Sequence, residues 1–257
     1  MNKFERSSGI LLHITSLPGR FGVGSLGREA YSFIDWLIVA KQSLWQILPL
    51  GHTGYGDSPY QCYSAFAGNP VLIDIDLLIE QGWLSEDDVP DFLPFNDSEV
   101  EFGRVNELKW KLVKLAASRF AEHASLAQKA SFERFKEANC AWLDDYSFYA
   151  AVKHSFDEKP WWEWDYNIRM REHNAVFEYK NRLESQIEMF SILQYFFFSQ
   201  WYDLKAYANK NGIKIVGDIP LYIAHDSSVA WCRREIFMFD ENRYPSIVAC
   251  VPPDYFS

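Results

Sequence analysis

The chain has 257 residues, a formal net charge of −10 and no cluster of lysines and arginines. Nucleic acid and anionic membranes are therefore not expected as partners, because both bind positively charged surfaces, and a neutral substrate fits better. Hydrophobic residues make up 48% and aromatic residues 17% of the chain, which is enough for a packed core and for rings on a recognition surface. No apolar run reaches the length of a transmembrane helix.

The cysteines are few and widely spaced. The 4 cysteines form no CxxC pair and no cysteine–histidine cluster with zinc spacing, so no metal site is predicted. Reduced, mostly buried thiols are the simplest interpretation, and they indicate a cytoplasmic protein. The first residues, MNKFERSSG, are polar and lack the apolar core of a signal peptide.

The first part of the chain alternates between strand-like and helix-like segments. The apolar run within residues 8–15 predicts a strand covered on both faces, and residues 27–41 have the single apolar face of a helix. Residues 44–50 predict a second strand. The order strand, helix, strand indicates a parallel sheet. The glycine-rich residues 16–27 match neither GxGxxG nor the P-loop pattern, so nucleotide binding is not expected.

Residues 75–210 interrupt this alternation with helical patterns. We interpret this region as an insertion and not as an independent domain, since no linker rich in proline, glycine or serine separates it from the rest. The predicted helices are a short one ending near Gly82, long ones over 98–124 and 182–209, and one or two within 128–156. Residues 159–167 predict an aromatic loop, and residues 212–220 a third strand. Three strands cannot close a barrel, and we read the sequence as truncated within a loop.

Two residues after predicted strands are candidates for binding. Asp218 ends the third strand, where barrel enzymes place their active sites, although a turn or helix-cap aspartate is the alternative. Tyr60 lies in the loop after the second strand, and a tyrosine can bind a sugar through its ring face and its hydroxyl. Its neighbours Asp57, Ser58 and Gln61 favour a site, but packing within the loop stays an open alternative.

The aromatic loop is a weaker candidate. Trp161, Trp162 and Trp164 could stack on a sugar, but tryptophans in a loop more often pin it to the core. Glu163 and Asp165 alternate with them, and no acid or base role is assigned to either.

Two histidine motifs are also predicted to be structural. The adjacent His225, Asp226 and Ser227 suggest a hydrolase triad, but triads are assembled from separate segments and no GxSxG elbow is present. A helix start capped by Asp226 or Ser227 is the preferred interpretation. His13 lies in the first predicted strand and is expected to be a hydrogen-bonded core histidine.

Four stretches are specific enough to suggest a family, and they run in order from one end of the chain to the other. They are SSGILLHITSLPGRFGVGSLG, LWQILPLGHTGYGDSPYQCYSAFAGNP, KIVGDIPLYIAHDSSVAW and VACVPPDYFS. Together they resemble 4-α-glucanotransferases of the amylomaltase (disproportionating enzyme) type, glycoside hydrolase family 77 in the α-amylase clan. The resemblance implies an α/β fold, a partial (β/α)8 TIM barrel with a large helical insertion between strands two and three. It also implies a cytoplasmic enzyme without cofactor that transfers part of an α-1,4-glucan to the 4-hydroxyl of another glucan.

The resemblance also implies roles for single residues. Tyr60 corresponds to the tyrosine of the donor subsite next to the cut bond, and Asp218 to a signature aspartate that supports the substrate site. Tyr255 and Phe256 correspond to the start of a flexible loop over the acceptor side. Asp57 and Ser58, which precede Tyr60 in the same motif, are also predicted to bind the substrate. Cys250 stands where the family is expected to have glycine, which puts the local backbone of that loop in question. His52 stands where proline is common, a change expected to matter little.

No catalytic residue can be assigned. A retaining transfer needs two carboxyl groups about 5 to 5.5 Å apart, a nucleophile and an acid/base. In the family these residues lie beyond the segment that corresponds to Ser257, so we expect the 257-residue chain alone to be inactive. Two alternatives stay open: a non-catalytic glucan-binding protein and a hydrolase of the same clan.

Overall fold

The computed structural model describes residues 6–91, 95–96 and 98–247, apart from the side chain of Tyr55. Within these residues it forms a small parallel sheet covered by a large helical region. The strands are β1 (Gly9–Leu11), β2 (Leu44–Gln46) and β3 (Lys214–Val216). The helices are α1 (Arg28–Val39), α2 (Ile75–Glu80), α3 (Phe102–His123), α4 (Leu126–Ser155), α5 (Tyr166–Arg169), α6 (His173–Arg182), α7 (Glu184–Lys210) and α8 (Ser228–Cys232).

The strands pair side by side in the order β1-β2-β3, all parallel. Trp45 lies in the middle of β2 between Ile10 and Ile215, is fully buried, and donates from Nε1 to the carbonyl of Leu12 at 2.8 Å. Because β1, β2 and β3 are parallel neighbours, their carboxyl ends meet at one edge of the sheet.

The predicted strands are longer than the observed ones, and the expected burial of both faces of the first strand is wrong. In β1 and β3 only the central residues are partly buried, and the outer residues Leu11 and Val216 are exposed. Ile14–Ser16 form a turn of 3₁₀ helix, so His13 follows the strand and does not lie within it. On β2 the chain leaves the sheet before Pro49, which has no N–H to donate to a neighbouring strand.

The helices agree more closely with the apolar patterns. α1 covers most of residues 27–41 and buries Ala30, Ile34 and Leu37, and residues 128–156 form a single helix, α4. Helices α2 to α7 lie between β2 and β3 in the chain. α7 packs against α3, α4, α1 and β3, so this helix connects the helical region to the sheet.

The aromatic residues form much of the core. Phe120 contacts Trp83, Phe132, Tyr195 and Phe196 with ring centroids 4.9 to 5.7 Å apart. Within the described residues, no helix is long and apolar enough to span a membrane.

Candidate functional site

The residues after β2 form a folded loop, here called the β2 loop (residues 51–69). Antiparallel bridges join Gly51 to Gly68 and Thr53 to Cys62, so the two arms of the loop run side by side. The N–H of Gly54 donates to the carbonyl of Gln61 at 2.7 Å and closes the tip. The tip therefore carries residues 55–60, which include the predicted binding residues.

Tyr60 and Asp218 lie together at the carboxyl edge of the sheet. The Tyr60 hydroxyl donates to Oδ2 of Asp218 at 2.8 Å, although the residues are 158 positions apart. Tyr60 is 43% exposed. The hydrogen bond to the Asp218 carboxylate raises the pKa of the Tyr60 phenol, because the acceptor stabilises the protonated form. A neutral hydroxyl and a carboxylate thus face solvent side by side.

The neighbours of Tyr60 are placed differently. Ser58 accepts a long hydrogen bond of 3.4 Å from the N–H of Tyr60, and so belongs to the same tip. Asp57 instead accepts a hydrogen bond of 3.0 Å from the side chain of Asn106 on α3. The structure brings Tyr60, Ser58 and Asp218 together and turns Asp57 towards the helical region. Tyr255 and Phe256, as well as Cys250, lie outside the described residues.

A pocket of about 250 Å³ lies beside Asp218. One wall is formed by the ends of β2 and β3, and the other by rings of the β2 loop and α7, namely Phe66, Phe197, Phe198 and Trp201. The sequence interpretation missed these rings. The signal was the aromatic run Tyr195 to Phe198, on the helix that directly precedes β3.

A second cavity, of about 290 Å³, lies between the β2 loop and the helices and is lined by Asp57, His52, Tyr63 and Lys153, among others. His52, whose place in the sequence was expected to matter little, is a buried wall residue of this cavity. Its side chain is only 9% exposed, and its Nδ1 lies 2.8 Å from the hydroxyl of Tyr146. Burial, with a smaller effect of the Lys153 charge, lowers the pKa of His52 to about 3.

Lys153 on α4 is the centre of a buried polar cluster. Its side chain is 2% exposed and pairs with Asp226 at 2.6 Å. It also donates to the carbonyls of Glu158 and Lys159 at 2.8 and 3.2 Å, and Asp226 accepts from the Tyr149 hydroxyl at 2.6 Å. The cluster joins α4, the aromatic loop and the segment after β3.

The motif from His225 to Ser227 starts a helix, as predicted. Ser227 caps α8 by accepting from the N–H of Ala230 at 3.2 Å. The His225 ring stacks on Trp162 with centroids 4.3 Å apart, and Asp226 pairs with Lys153. Each of the three side chains is therefore bound to a partner outside the motif or caps the helix, and they do not form a catalytic triad.

The remaining sequence candidates are structural. Trp161 and Trp164 are buried, which confirms that the aromatic loop is pinned to the core. His13 is half-buried, and its Nδ1 has no hydrogen-bond partner among the described residues, so it is not the satisfied core histidine that was expected. Burial lowers its pKa to about 4. In the described part of the chain, no three histidine, cysteine or acidic side chains lie together in a way that could hold a metal ion.

The sequence as a whole matches one family. A sequence model of this family, described as 4-alpha-glucanotransferase and belonging to glycoside hydrolase group 77, matches residues 12–257. The chain belongs to the 4-alpha-glucanotransferase family.

Individual members of the 4-alpha-glucanotransferase family are similar over almost the whole chain. The Streptococcus pneumoniae 4-alpha-glucanotransferase is 45% identical over 255 residues, which cover 98% of this chain and 50% of that relative. The Thermus thermophilus 4-alpha-glucanotransferase is also 45% identical, over 99% of this chain and 50% of the relative. The solved structure of amylomaltase from Streptococcus agalactiae in complex with acarbose has a TM-score of 0.93 and 41% identity, covering 98% of this chain and 51% of that chain. The chain thus spans about half the length of these relatives.

Proposed function

We propose that this chain forms part of the glucan-binding site of a 4-α-glucanotransferase. In this proposal Tyr60 and Asp218 contact an α-1,4-linked glucan, and Ser58 shapes the loop tip between them. The observation that carries the proposal is the 2.8 Å hydrogen bond from the Tyr60 hydroxyl to Asp218, which joins the loops after two neighbouring strands. A carboxylate and an exposed ring side by side can hydrogen-bond sugar hydroxyls and cover the apolar face of a sugar. Asp57, Tyr255 and Phe256 remain proposed contacts of the same glucan.

The proposed reaction is a retaining double displacement. A carboxylate nucleophile breaks the α-1,4 bond and holds the donor glucan as a covalent intermediate, and the 4-hydroxyl of an acceptor glucan or glucose then takes the donor. Neither Asp218 nor Glu163 is assigned as nucleophile or acid/base. Incubation of the chain with maltotriose tests this assignment: release of glucose together with longer maltodextrins would show that carboxyl groups within these residues catalyse the transfer.

The proposed architecture follows the same reasoning. Parallel β1, β2 and β3, with α1 between the first two, have the order of the first units of a (β/α)8 barrel. Residues 75–210 would then be a helical insertion between its second and third strands. We also propose that the protein is cytoplasmic. Three thiols without a disulfide partner fit this location, those of Cys62, Cys140 and Cys232, although of these only Cys62 is buried.

The test of the proposed site is a binding measurement with acarbose and maltotetraose by calorimetry, on the chain itself. Tyr60→Phe removes the hydroxyl that bonds Asp218 and keeps the ring, and we expect roughly three- to tenfold weaker binding. The matched control is Tyr207→Phe, because the partly exposed Tyr207 donates to Asp35 at 2.6 Å and belongs to neither loop of the site. Equal affinities of the two variants, or no saturable binding by the unmodified chain, would contradict the proposal.

A further inference from the structure

Helix α7 contains two buried glutamines, Gln194 and Gln200, with exposed fractions of 0% and 3%. A buried amide is unfavourable unless its hydrogen bonds are satisfied. Each of these amides binds both backbone groups of a single residue. Gln194 accepts from the N–H of Gly68 at 2.7 Å and donates to the carbonyl of Gly68 at 2.9 Å. Gln200 does the same with Asp74, at 2.7 and 3.1 Å.

The two glutamines hold different parts of the chain. Gly68 pairs with Gly51 at the base of the β2 loop, so Gln194 holds the point where both arms of the loop begin. Asp74 lies after the loop and caps α2 by accepting from the N–H of Leu77 at 2.9 Å. Gln194 is thus attached to the loop that carries Tyr60, and Gln200 to the helix that follows it.

Further contacts fix the base of the β2 loop against α7. The Nε2 of Gln194 lies 3.5 Å from the Tyr146 hydroxyl, which in turn bonds His52 on the opposite arm of the loop. A Cβ added at Gly68 would lie 2.1 Å from the ring of Phe197, so only glycine permits this close approach.

The same helix is also attached to the start of β3. α7 ends at Lys210, and the N–H of Ile213 donates back to the carbonyl of Ala208 at 2.9 Å, directly before β3. β3 then leads to Asp218. One helix is therefore attached both to the base of the β2 loop and to the strand that leads to Asp218.

We propose that Gln194 is a positioning residue for the glucan site. By holding both backbone groups of Gly68 it keeps the β2 loop in the position from which Tyr60 reaches Asp218. This inference rests on the function proposed above for those two residues. Gln194 itself does not touch the sugar.

The test compares Gln194→Met with Gln200→Met. Both substitutions lie on the same helix, keep a long side chain and remove the amide. Each leaves one backbone N–H and one backbone carbonyl unpaired, at Gly68 or at Asp74, so both should lower stability similarly. Only Gln194→Met should speed amide hydrogen exchange in residues 51–69, by about tenfold, and weaken acarbose binding by about the same factor. Gln194→Asn keeps an uncharged amide that is one methylene shorter and reaches Gly68 less well, so it should give intermediate values; it carries the test if Gln194→Met does not fold.

Different results would contradict the positioning role of Gln194 and the proposed glucan-binding function. If both methionine variants weaken acarbose binding equally, or if exchange in residues 51–69 is unchanged in Gln194→Met, the positioning role is wrong. If the unmodified chain binds no acarbose, the proposed function fails. Hydrogen exchange then still decides whether Gln194 holds the loop.

Discussion

The loops that meet at the candidate site are held in opposite ways. The β2 loop is fixed by polar contacts from three helices: a partly buried one from Asn106 on α3 and buried ones from Tyr146 on α4 and Gln194 on α7. The segment after β3, here called the β3 loop (residues 217–227), is exposed in its middle, where Leu221 is 86% exposed. Among the described residues its buried contacts lie near its end, where His225 stacks on Trp162 and Asp226 pairs with Lys153. The position of Tyr60 is therefore set by its own loop. Among the described residues, Asp218 hydrogen-bonds to Ile219 within the β3 loop and to Tyr60 outside it.

This difference separates the contacts that stabilise the fold from those that are available for recognition. Buried amides, hydroxyls and a paired lysine fix the β2 loop and the end of the β3 loop, and losing any of them leaves an unsatisfied group. The exposed Tyr60–Asp218 pair adds little to folding and remains available to a ligand. Substitutions can test this contrast separately in each loop.

The largest expected effect comes from Lys153, which contacts both loops. It pairs with Asp226 of the β3 loop, and its Nζ lies 4.8 Å from the ring centre of Tyr63 in the β2 loop. Lys153→Met leaves Asp226 without its buried counter-charge and should lower the free energy of unfolding by about 3–5 kcal/mol. Urea denaturation followed by circular dichroism measures the loss.

The control for Lys153 is an ion pair on the surface of the same helix. Lys136 pairs with Glu133 at 2.8 Å, with both side chains partly exposed. Lys136→Met should change the free energy of unfolding by less than about 1 kcal/mol. Similar losses in the two variants would refute the view that the Lys153–Asp226 pair anchors the loops.

The second largest expected effect is a dependence of the free energy of unfolding on pH. It arises because each loop contains one histidine that is harder to protonate in the folded chain. Burial lowers the pKa of His52 to about 3, and it lowers that of the half-buried His225 less. The unfolded chain therefore binds a proton near pH 6.5 that folded His52 does not bind until about pH 3. The contribution of His52 to the free energy of unfolding is fully present above pH 6.5 and is lost on acidification. Between pH 7.5 and 5.0 this loss should be about 2 kcal/mol.

Urea unfolding at both pH values tests this assignment. His52→Asn should lose about 2 kcal/mol less than the unmodified chain between pH 7.5 and 5.0. His225→Asn should reduce the loss by a smaller amount, and some loss should remain in both variants because the lowered pKa of His13, about 4, acts in the same range. A larger change in His225→Asn than in His52→Asn would contradict the contrast between the loops.

The sequence predicted the helices, and it pointed to Tyr60 and Asp218 as candidate binding residues. It did not predict the contacts that fix the loops carrying these two residues. The apolar spacing of α1 and the aromatic run in α7 reflect burial against the core, which periodicity detects directly. Tyr60 and Asp218 were found because residues after parallel strands gather at one edge.

Contacts between distant polar residues were not predictable in this way. Gln194 and Lys153 are buried polar residues on helices, and nothing in the local pattern distinguishes them from solvent-exposed ones. Asp57 stands three positions from Tyr60 but points to α3, because the backbone at Asp57 has a φ of 52°, in the left-handed region. Local sequence gives neither that turn nor the partner of His52, which lies 94 residues away.

The smallest expected effect is at the exposed middle of the β3 loop. Leu221→Ser removes an apolar side chain that the described residues leave 86% exposed, so the free energy of unfolding should change by less than about 0.5 kcal/mol. The matched variant is Leu72→Ser, just after the β2 loop, where the side chain is 1% exposed. This change leaves a cavity and buries a hydroxyl, and should cost about 3 kcal/mol or more. If Leu221→Ser destabilises the chain as much as Leu72→Ser does in urea unfolding, the β3 loop is packed in solution and the contrast between the loops is wrong.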